Sequence, residues 1–169
     1  MNEETLRDAI ERMAQPVGDY RSIGLEAVHT LAETFGSVRE VELAALDAEI
    51  VPARYARNVG TIGLDGQRQL LQATVAIVGM GGLGGYVAEA LTRMGVGRLI
   101  LIDSDRFEDH NLNRQLLSSE ENLGVEKTDV ACRRVALVNS AVATVCHAEV
   151  LSRENVPQLL EGADVVVDA

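Results

Sequence analysis

Gly79-Met80-Gly81-Gly82-Leu83-Gly84 stands directly after the apolar run Ala73–Val78 and directly before a segment in which Val87, Leu91 and Met94 recur at helical spacing up to Gly95. That order of strand, G-x-G-x-x-G and helix constrains this chain more than any other feature. Glycines let the backbone turn sharply and approach a phosphate. The amides that open the helix after Gly82 then face the anion, and the helix dipole adds roughly 0.3–1 kcal/mol at an exposed site. Gly79, Gly81, Gly82 and Gly84 are therefore candidate nucleotide-binding residues. Asp103 lies nineteen residues beyond Gly84, at the end of a second apolar run, Arg98–Ile102. A carboxylate there can accept hydrogen bonds from ribose hydroxyls. On these features alone a nicotinamide or flavin protein and an ATP user look the same.

The alternation of strand and helix continues. A helix over about Val125–Asn139, with Ala131, Val135 and Val138 on one face, leads to a strand at Thr144–Val150, and a further short helix leads to a fourth strand at Asp164–Val167. Strands buried on both faces read as unbroken apolar runs, whereas Thr144–Val150 alternates with Thr, His and Glu and suits a sheet edge. Right-handed crossovers give the spatial order third, second, first, fourth. The expected fold class is α/β, a Rossmann-like doubly wound parallel sheet. The chain carries half of such a sheet and stops at its fourth strand, so it reads as truncated.

Residues 1–51 are expected to form a small helical region preceding a nucleotide-binding domain at 52–169. Leu25, Val28, Leu31, Ala32 and Phe35 recur at helical spacing before Gly36, and Ser37-Val38-Arg39-Glu40 has the S-x-x-E form of a capping box that opens a second helix running to Ile50. Two such helices could read DNA. Here Glu40, Glu42, Asp47 and Glu49 stand against a single Arg39, and the whole chain carries a formal charge of −11. Affinity for nucleic acid comes largely from Lys and Arg, so no DNA partner is expected and any phosphate must be held locally. Pro52 ends this region, and a Gly-rich connection through Gly60, Gly63 and Gly66 leads to a short helix around Gln67–Leu71.

No apolar run approaches the roughly 18 residues of a membrane span, and the polar start Met1-Asn2-Glu3-Glu4 lacks the regions of a signal peptide, so no membrane partner and a cytoplasmic location are expected. Cys132 and Cys146 have neither a C-x-x-C spacing nor a nearby His partner, and read as two reduced thiols packed on a helix and a strand rather than as a zinc or redox site. Of the fifteen basic residues, only Lys127 is a lysine.

The segment Asp103-Ser104-Asp105-Arg106-Phe107-Glu108-Asp109-His110-Asn111-Leu112-Asn113-Arg114-Gln115 resembles the D-x-D…N-L-N-R-Q stretch of the ThiF/MoeB/HesA family, which includes the ubiquitin-activating enzymes. Lys127, thirteen residues after Arg114, stands where that family carries a nucleotide-binding lysine. Arg54-Tyr55-Ala56-Arg57-Asn58 is similar to its R-Y-x-R-[NQ] segment. The resemblance covers roughly Arg54–Ala169.

It implies ATP-dependent adenylation of a carboxyl group with release of pyrophosphate. The implied substrate is the C-terminal glycine of a ubiquitin-like sulfur-carrier protein, or a small carboxylate on a modified tRNA. Two anions must then approach each other, and cations must cancel the repulsion. By the resemblance Arg114 and Lys127 contact the phosphates, Asp103 the ribose, and Gly82 lies against the nucleotide. Asn111 and Gln115 orient the nucleotide or its phosphates, and Arg57 reaches the triphosphate of the partner subunit in a homodimer. The magnesium ligand of the family lies past the fourth strand, so no residue here is assigned to the metal that accompanies ATP, and the chain by itself is expected to be a deficient catalyst. Two rival classes stay open. A nicotinamide-dependent oxidoreductase accounts for the glycines and Asp103 but gives Arg57, Arg114 and Lys127 no role. A non-catalytic module would dock a partner on the acidic helices.

Overall fold

The computed structural model describes residues 5–169; the polar Met1–Glu4 start lies outside the described residues. The chain divides into two compact units, one ending at Leu71 and the other spanning Gln72–Ala169.

In the first unit α1 (Leu6–Met13) leads into an antiparallel hairpin of β1 (Gln15–Val17) and β2 (Tyr20–Ile23), followed by α2 (Leu25–Phe35), α3 (Val38–Asp47) and β3 (Ile50–Pro52), which pairs parallel with β2. The capping box at Ser37 forms. Its hydroxyl accepts from Glu40 N at 3.2 Å, and the Glu40 carboxylate accepts from Ser37 N at 2.6 Å. The helices close over a core that includes Ile10, Ile23, Val28, Leu31, Val41 and Ile50.

The helical region expected ahead of the nucleotide-binding domain is present as α1, α2 and α3, and it also holds a three-stranded sheet that the helical reading did not include. Strands of three and four residues are too short to register as a period-two pattern, and β2 finds its second partner in β3 only across the two intervening helices. The second helix stops at Asp47 rather than Ile50, because Glu49 takes a φ of 57° and turns the chain into β3. The Gly-rich connection is not a loop. After a 3-10 turn at Ala53–Tyr55, α4 (Ala56–Gln72) runs through Gly60 and Gly66 and breaks only at Gly63, whose φ of 71° with ψ of 177° is a combination open essentially to glycine.

The second unit holds β4 (Thr74–Val78), α5 (Gly84–Met94), β5 (Arg98–Ile102), α6 (Lys127–Val138), β6 (Ala143–His147), α7 (Val156–Leu159) and β7 (Val165–Asp168). The four strands are parallel in the order β6-β5-β4-β7, as the crossover rule predicted, with β6 at an edge. β6 ends at His147, short of the predicted Val150. Side chains alternate across the sheet. Ala76, Ile100 and Ile102 form one buried face with Leu159 of α7, while Val75, Ile77, Leu99 and Leu101 are buried on the other. A charge cluster joins α5 to α6, with Arg134 donating to Glu89 from Nε and Nη2, both at 2.8 Å.

The two cysteines do not stay apart. Cys132 on α6 and Cys146 on β6 are paired as a disulfide with their Cα atoms 6.8 Å apart, correcting the reading of two separate thiols. A helix-to-strand crossover brings α6 back over β6, a proximity that no short spacing motif records.

Candidate functional site

The glycine turn sits at the carboxyl end of β4, where β-α connections of a parallel sheet gather. Its glycines divide into two kinds. A Cβ on Gly79, where φ is +94°, would collide with the Ala169 carbonyl oxygen, and one on Gly84 would be driven into the carbonyl of Gly79. These two are demanded by the turn and by helix–strand packing. Gly81 would meet only Gln115 Nε2 at 3.8 Å, and Gly82 would meet nothing within 4 Å. The protein's own packing does not require glycine at either, so a ledge open to a close-lying ligand is the remaining use of the missing side chains.

Backbone and side chains then tie the turn to β5. Gly79 N donates to Ile102 O at 2.8 Å. Met80 N donates to Asp103 Oδ2 at 2.6 Å, and Asp105 N donates to Asp103 Oδ1 at 2.7 Å. Asp103 thus fixes both the glycine turn and the start of the following loop. Two acceptors are used of the roughly four lone-pair directions a carboxylate offers. At the start of α5, Leu83 provides no side-chain cap for the first-turn amides, the arrangement in which a helix terminus takes an external acceptor.

The loop from Asp103 is stitched to the start of α6. Arg106 pairs with Glu126 at 2.5 Å, Phe107 N donates to Val125 O, and Lys127 N donates to Asp105 O, each of the last two at 3.0 Å. Phe107, only 1% exposed, anchors the middle of the loop. Lys127 is buried at 5% exposure, and its ammonium donates to Asp105 Oδ2 at 2.9 Å. Asp105, quoted in the D-x-D pattern but given no role from sequence, is therefore the residue that holds the lysine.

The N-L-N-R-Q stretch folds as a tight turn locked by its own side chains. Asn111, 3% exposed, accepts from Glu108 N at 3.0 Å through Oδ1. Gln115 N donates to Asn111 O at 3.0 Å. Gln115 is 7% exposed and lies over Gly81, and its Oε1 is buried without a hydrogen-bond partner among the described residues. A buried unpaired amide oxygen costs free energy, so it marks a position where a donor would be welcome. The exposed Arg114 donates through Nη1 to His110 O at 2.7 Å and to Asn113 Oδ1 at 3.0 Å. It makes no ion pair with Glu108 or Asp109, the surface pairing that its neighbours in sequence would suggest; His110 faces Glu108 instead, at 3.3 Å.

Arg57 belongs to the other unit, where it stands exposed on the first turn of α4. The glycines, Asp103, Asn111, Arg114, Gln115 and Lys127 all belong to the unit of the parallel sheet. A cleft of about 670 Å³ in that unit, lined by Leu116, Val130, Arg133 and Leu137 among others, includes none of these residues.

A sequence profile of the ThiF family matches residues 55–169. The chain belongs to the ThiF family.

Its relatives carry the same unit inside longer chains. The ThiF-family chain is 37% identical over 117 residues to the tRNA threonylcarbamoyladenosine dehydratase of Bacillus subtilis (strain 168), a match covering 69% of this chain and 46% of that protein. It is 36% identical over 170 residues to the adenylyltransferase and sulfurtransferase MOCS3 of Drosophila ananassae, covering 98% and 35%. The solved structure of E. coli TcdA, a tRNA N6-threonylcarbamoyladenosine dehydratase, in complex with ATP matches with a TM-score of 0.67 at 31% identity over 69% of this chain and 48% of that one. E. coli MccB with ATP matches with a TM-score of 0.62 at 34% identity over 68% and 36%. This chain thus spans less than half the length of each of these four proteins.

Proposed function

We propose that this chain binds ATP at the glycine turn and serves the adenylation of a carboxyl group. The carrying observation is that Gln115, with a buried oxygen lacking a partner, lies over a turn in which Gly81 and Gly82 leave an open ledge. The ATP complexes of the TcdA and MccB structures support the same choice of nucleotide.

In this reading a carboxylate oxygen attacks the α-phosphorus, and a C–O–P linkage forms as the bond to the bridging β-oxygen breaks. Pyrophosphate leaves with that electron pair, and no proton is moved. Gly82 lies against the nucleotide, and Asp103 keeps acceptor capacity for ribose hydroxyls. Lys127 has three donors, of which Asp105 engages one. The Nη2 side of Arg114 carries no partner among the described residues and is directed to phosphate oxygens. Together the two cations offset the repulsion between the carboxylate and the triphosphate and stabilise the charge developing on pyrophosphate. Asn111 sets the turn, and Gln115 orients the nucleotide or its phosphates. Magnesium accompanies ATP, but the described residues contain no group of three or more His, Cys, Asp or Glu side chains that could hold a metal ion.

The proposed substrate is the C-terminal glycine of a ubiquitin-like sulfur-carrier protein. The adenylyltransferase and sulfurtransferase relative, matched over 98% of this chain, supports it. A carboxylate on tRNA, suggested by the name of the Bacillus relative, is less compatible with a charge of −11. The acting form is proposed to be a cytoplasmic homodimer in which Arg57 reaches the triphosphate held by the partner subunit.

Calorimetric titration with magnesium-ATP and separately with NAD, repeated for Lys127→Ala, tests the reading. Saturable ATP binding weakened by the substitution, with NAD silent, is expected. NAD binding indifferent to Lys127 would replace it with an oxidoreductase, and silence with both nucleotides would leave a docking module.

A further inference from the structure

Among its described residues the first unit buries one carboxylate. Glu42, on α3, is 0% exposed and meets two consecutive residues of the following segment. The Tyr55 hydroxyl donates to Glu42 Oε2 at 3.0 Å, and Arg54 Nε lies 3.2 Å from Oε1. Tyr55 is itself fully buried and packs with Leu46 and Leu71. Placing a charge in such a position is costly, and an apolar side chain of similar volume would pack there at no such cost. What the carboxylate adds is direction. It accepts from the Tyr55 hydroxyl through one oxygen and faces the Arg54 guanidinium as an ion pair through the other, and so sets the path of the backbone that carries both.

The far side of the segment is held as well. Asn58 Nδ2 donates to Gln67 Oε1 at 3.0 Å, joining the two halves of α4 across the break at Gly63, and Gln67 is 0% exposed. Arg54 and Tyr55 are thus tied on one side and Asn58 on the other. Arg57, in the same turn of α4, is exposed.

We propose that Glu42 is a positioning residue for Arg57, and that the helical unit ahead of the nucleotide-binding sheet serves to hold the Arg54–Asn58 segment in the conformation that presents this guanidinium. The proposal rests on the reading of Arg57 as a phosphate-binding residue. Nothing in the R-Y-x-R-N pattern identifies Glu42, which lies twelve residues before Arg54 on a separate helix.

The test is a double-substitution cycle on the chain, reading magnesium-ATP affinity by calorimetry and amide hydrogen exchange at residues 54–58. Glu42→Gln is expected to speed exchange at 54–58 while α1 and α2 stay protected. It should weaken ATP by about tenfold, the scale of coupling within one hydrogen-bonded network, and produce no further loss once Arg57→Ala is present. Tyr55→Phe, which deletes one hydroxyl and keeps the ring, should act in the same direction to a smaller extent and covers the case in which Glu42→Gln fails to fold. Unchanged exchange, or equal loss of ATP affinity with and without Arg57, overturns the positioning role. If Arg57→Ala binds ATP like the parent chain, the assignment of Arg57 fails first and the proposal falls with it. If Arg57→Ala is damaging and Glu42→Gln and Tyr55→Phe are silent, the proposal fails alone.

Discussion

The ammonium of Lys127 lies 2.9 Å from the carboxylate of Asp105, and the Lys127 amide donates to the carbonyl of the same residue at 3.0 Å. The pair is lopsided. The lysine side chain is 7% exposed and the aspartate 67%. The cation is thus held at the start of α6 by an acid that water can largely satisfy, which makes the lysine separable from the fold. Replacing it by Lys127→Met, which keeps the aliphatic stem, should cost no more than the ~0–1 kcal/mol of a partly exposed ion pair and lower Tm by no more than about 2–4 °C. Magnesium-ATP affinity should nevertheless drop by on the order of 10²-fold, as for loss of a charge-assisted contact. A thermal melt and a titration on the same sample check both halves, and near-parent ATP affinity would remove Lys127 from the phosphate site.

The glycine turn makes a sharper prediction, because its members have different reasons to be glycine. Gly84→Ala forces a methyl into the Gly79 carbonyl and should destabilise the second unit by about 1–3 kcal/mol or more, visible as a lower urea midpoint. Gly82→Ala meets nothing and should stay within about 0.5 kcal/mol of the parent, yet weaken ATP by crowding the ledge. The reverse pattern, with Gly82→Ala unstable and Gly84→Ala tolerated, would show the turn to be built differently.

How much of this was legible in the sequence depended on the length over which a pattern repeats. Arg98–Ile102 is legible with its observed bounds, since four unbroken apolar positions after Arg98, closed by Gly97 on one side and Asp103 on the other, leave little choice. The Ser37 box was equally plain, because a hydroxyl and a carboxylate three residues apart carry the whole mechanism. β1, β2 and β3 leave no such pattern because their pairing is made in space, and α4 is hidden because three glycines in ten residues look like a loop until one of them absorbs the break for all. Within the candidate site, G-x-G-x-x-G named the glycines but could not say that Gly79 and Gly84 serve packing while Gly82 faces open space. The Asp105 contact to Lys127 and the Glu42 contacts to Arg54 and Tyr55 join residues on different elements, and only the fold brings them together.

The buried Glu42 and the half-buried Glu89 should give the two units opposite pH responses. In Glu89 the hydrogen bonds from Arg134 hold the carboxyl below its usual range. Its stabilisation is therefore present above the ordinary glutamate value and lost as pH falls through the lowered one. In Glu42 burial pushes the carboxyl up, against the pull of Arg54 and Tyr55. That contribution is complete below the ordinary glutamate value and is lost as pH rises through the raised one. Urea denaturation followed by hydrogen exchange across mildly acidic pH should show Glu89→Gln flattening the acid loss of the second unit. Glu42→Gln should flatten the loss in the first unit as pH rises, and slopes of the same sign in both would contradict the assignment.

The contact of Cys132 with Cys146 is open to a direct chemical count. Under oxidising conditions the unfolded chain should show no thiol reactive to alkylation, and two after reduction, by intact mass. Closing a loop of this size stabilises by about 3 kcal/mol in the chain-entropy account, so reduction should lower the urea midpoint, and Cys132→Ser should abolish the difference between oxidised and reduced samples. Two alkylated thiols in the oxidised protein would restore the reading of separate thiols.

Arg57 supplies the remaining test, because action across a dimer has an arithmetical signature that action within one chain lacks. A subunit with Arg57→Ala keeps its own phosphate residues but cannot serve its partner, and one with Lys127→Ala is impaired in its own site but can still serve. When equal amounts are mixed at random, half of the dimers are mixed, and in each of these one of the two sites receives a complete set. About a quarter of all sites should then recover tight ATP binding, although neither parent variant binds well. If nothing is recovered after verified subunit exchange, Arg57 works within its own chain or has no part in nucleotide binding.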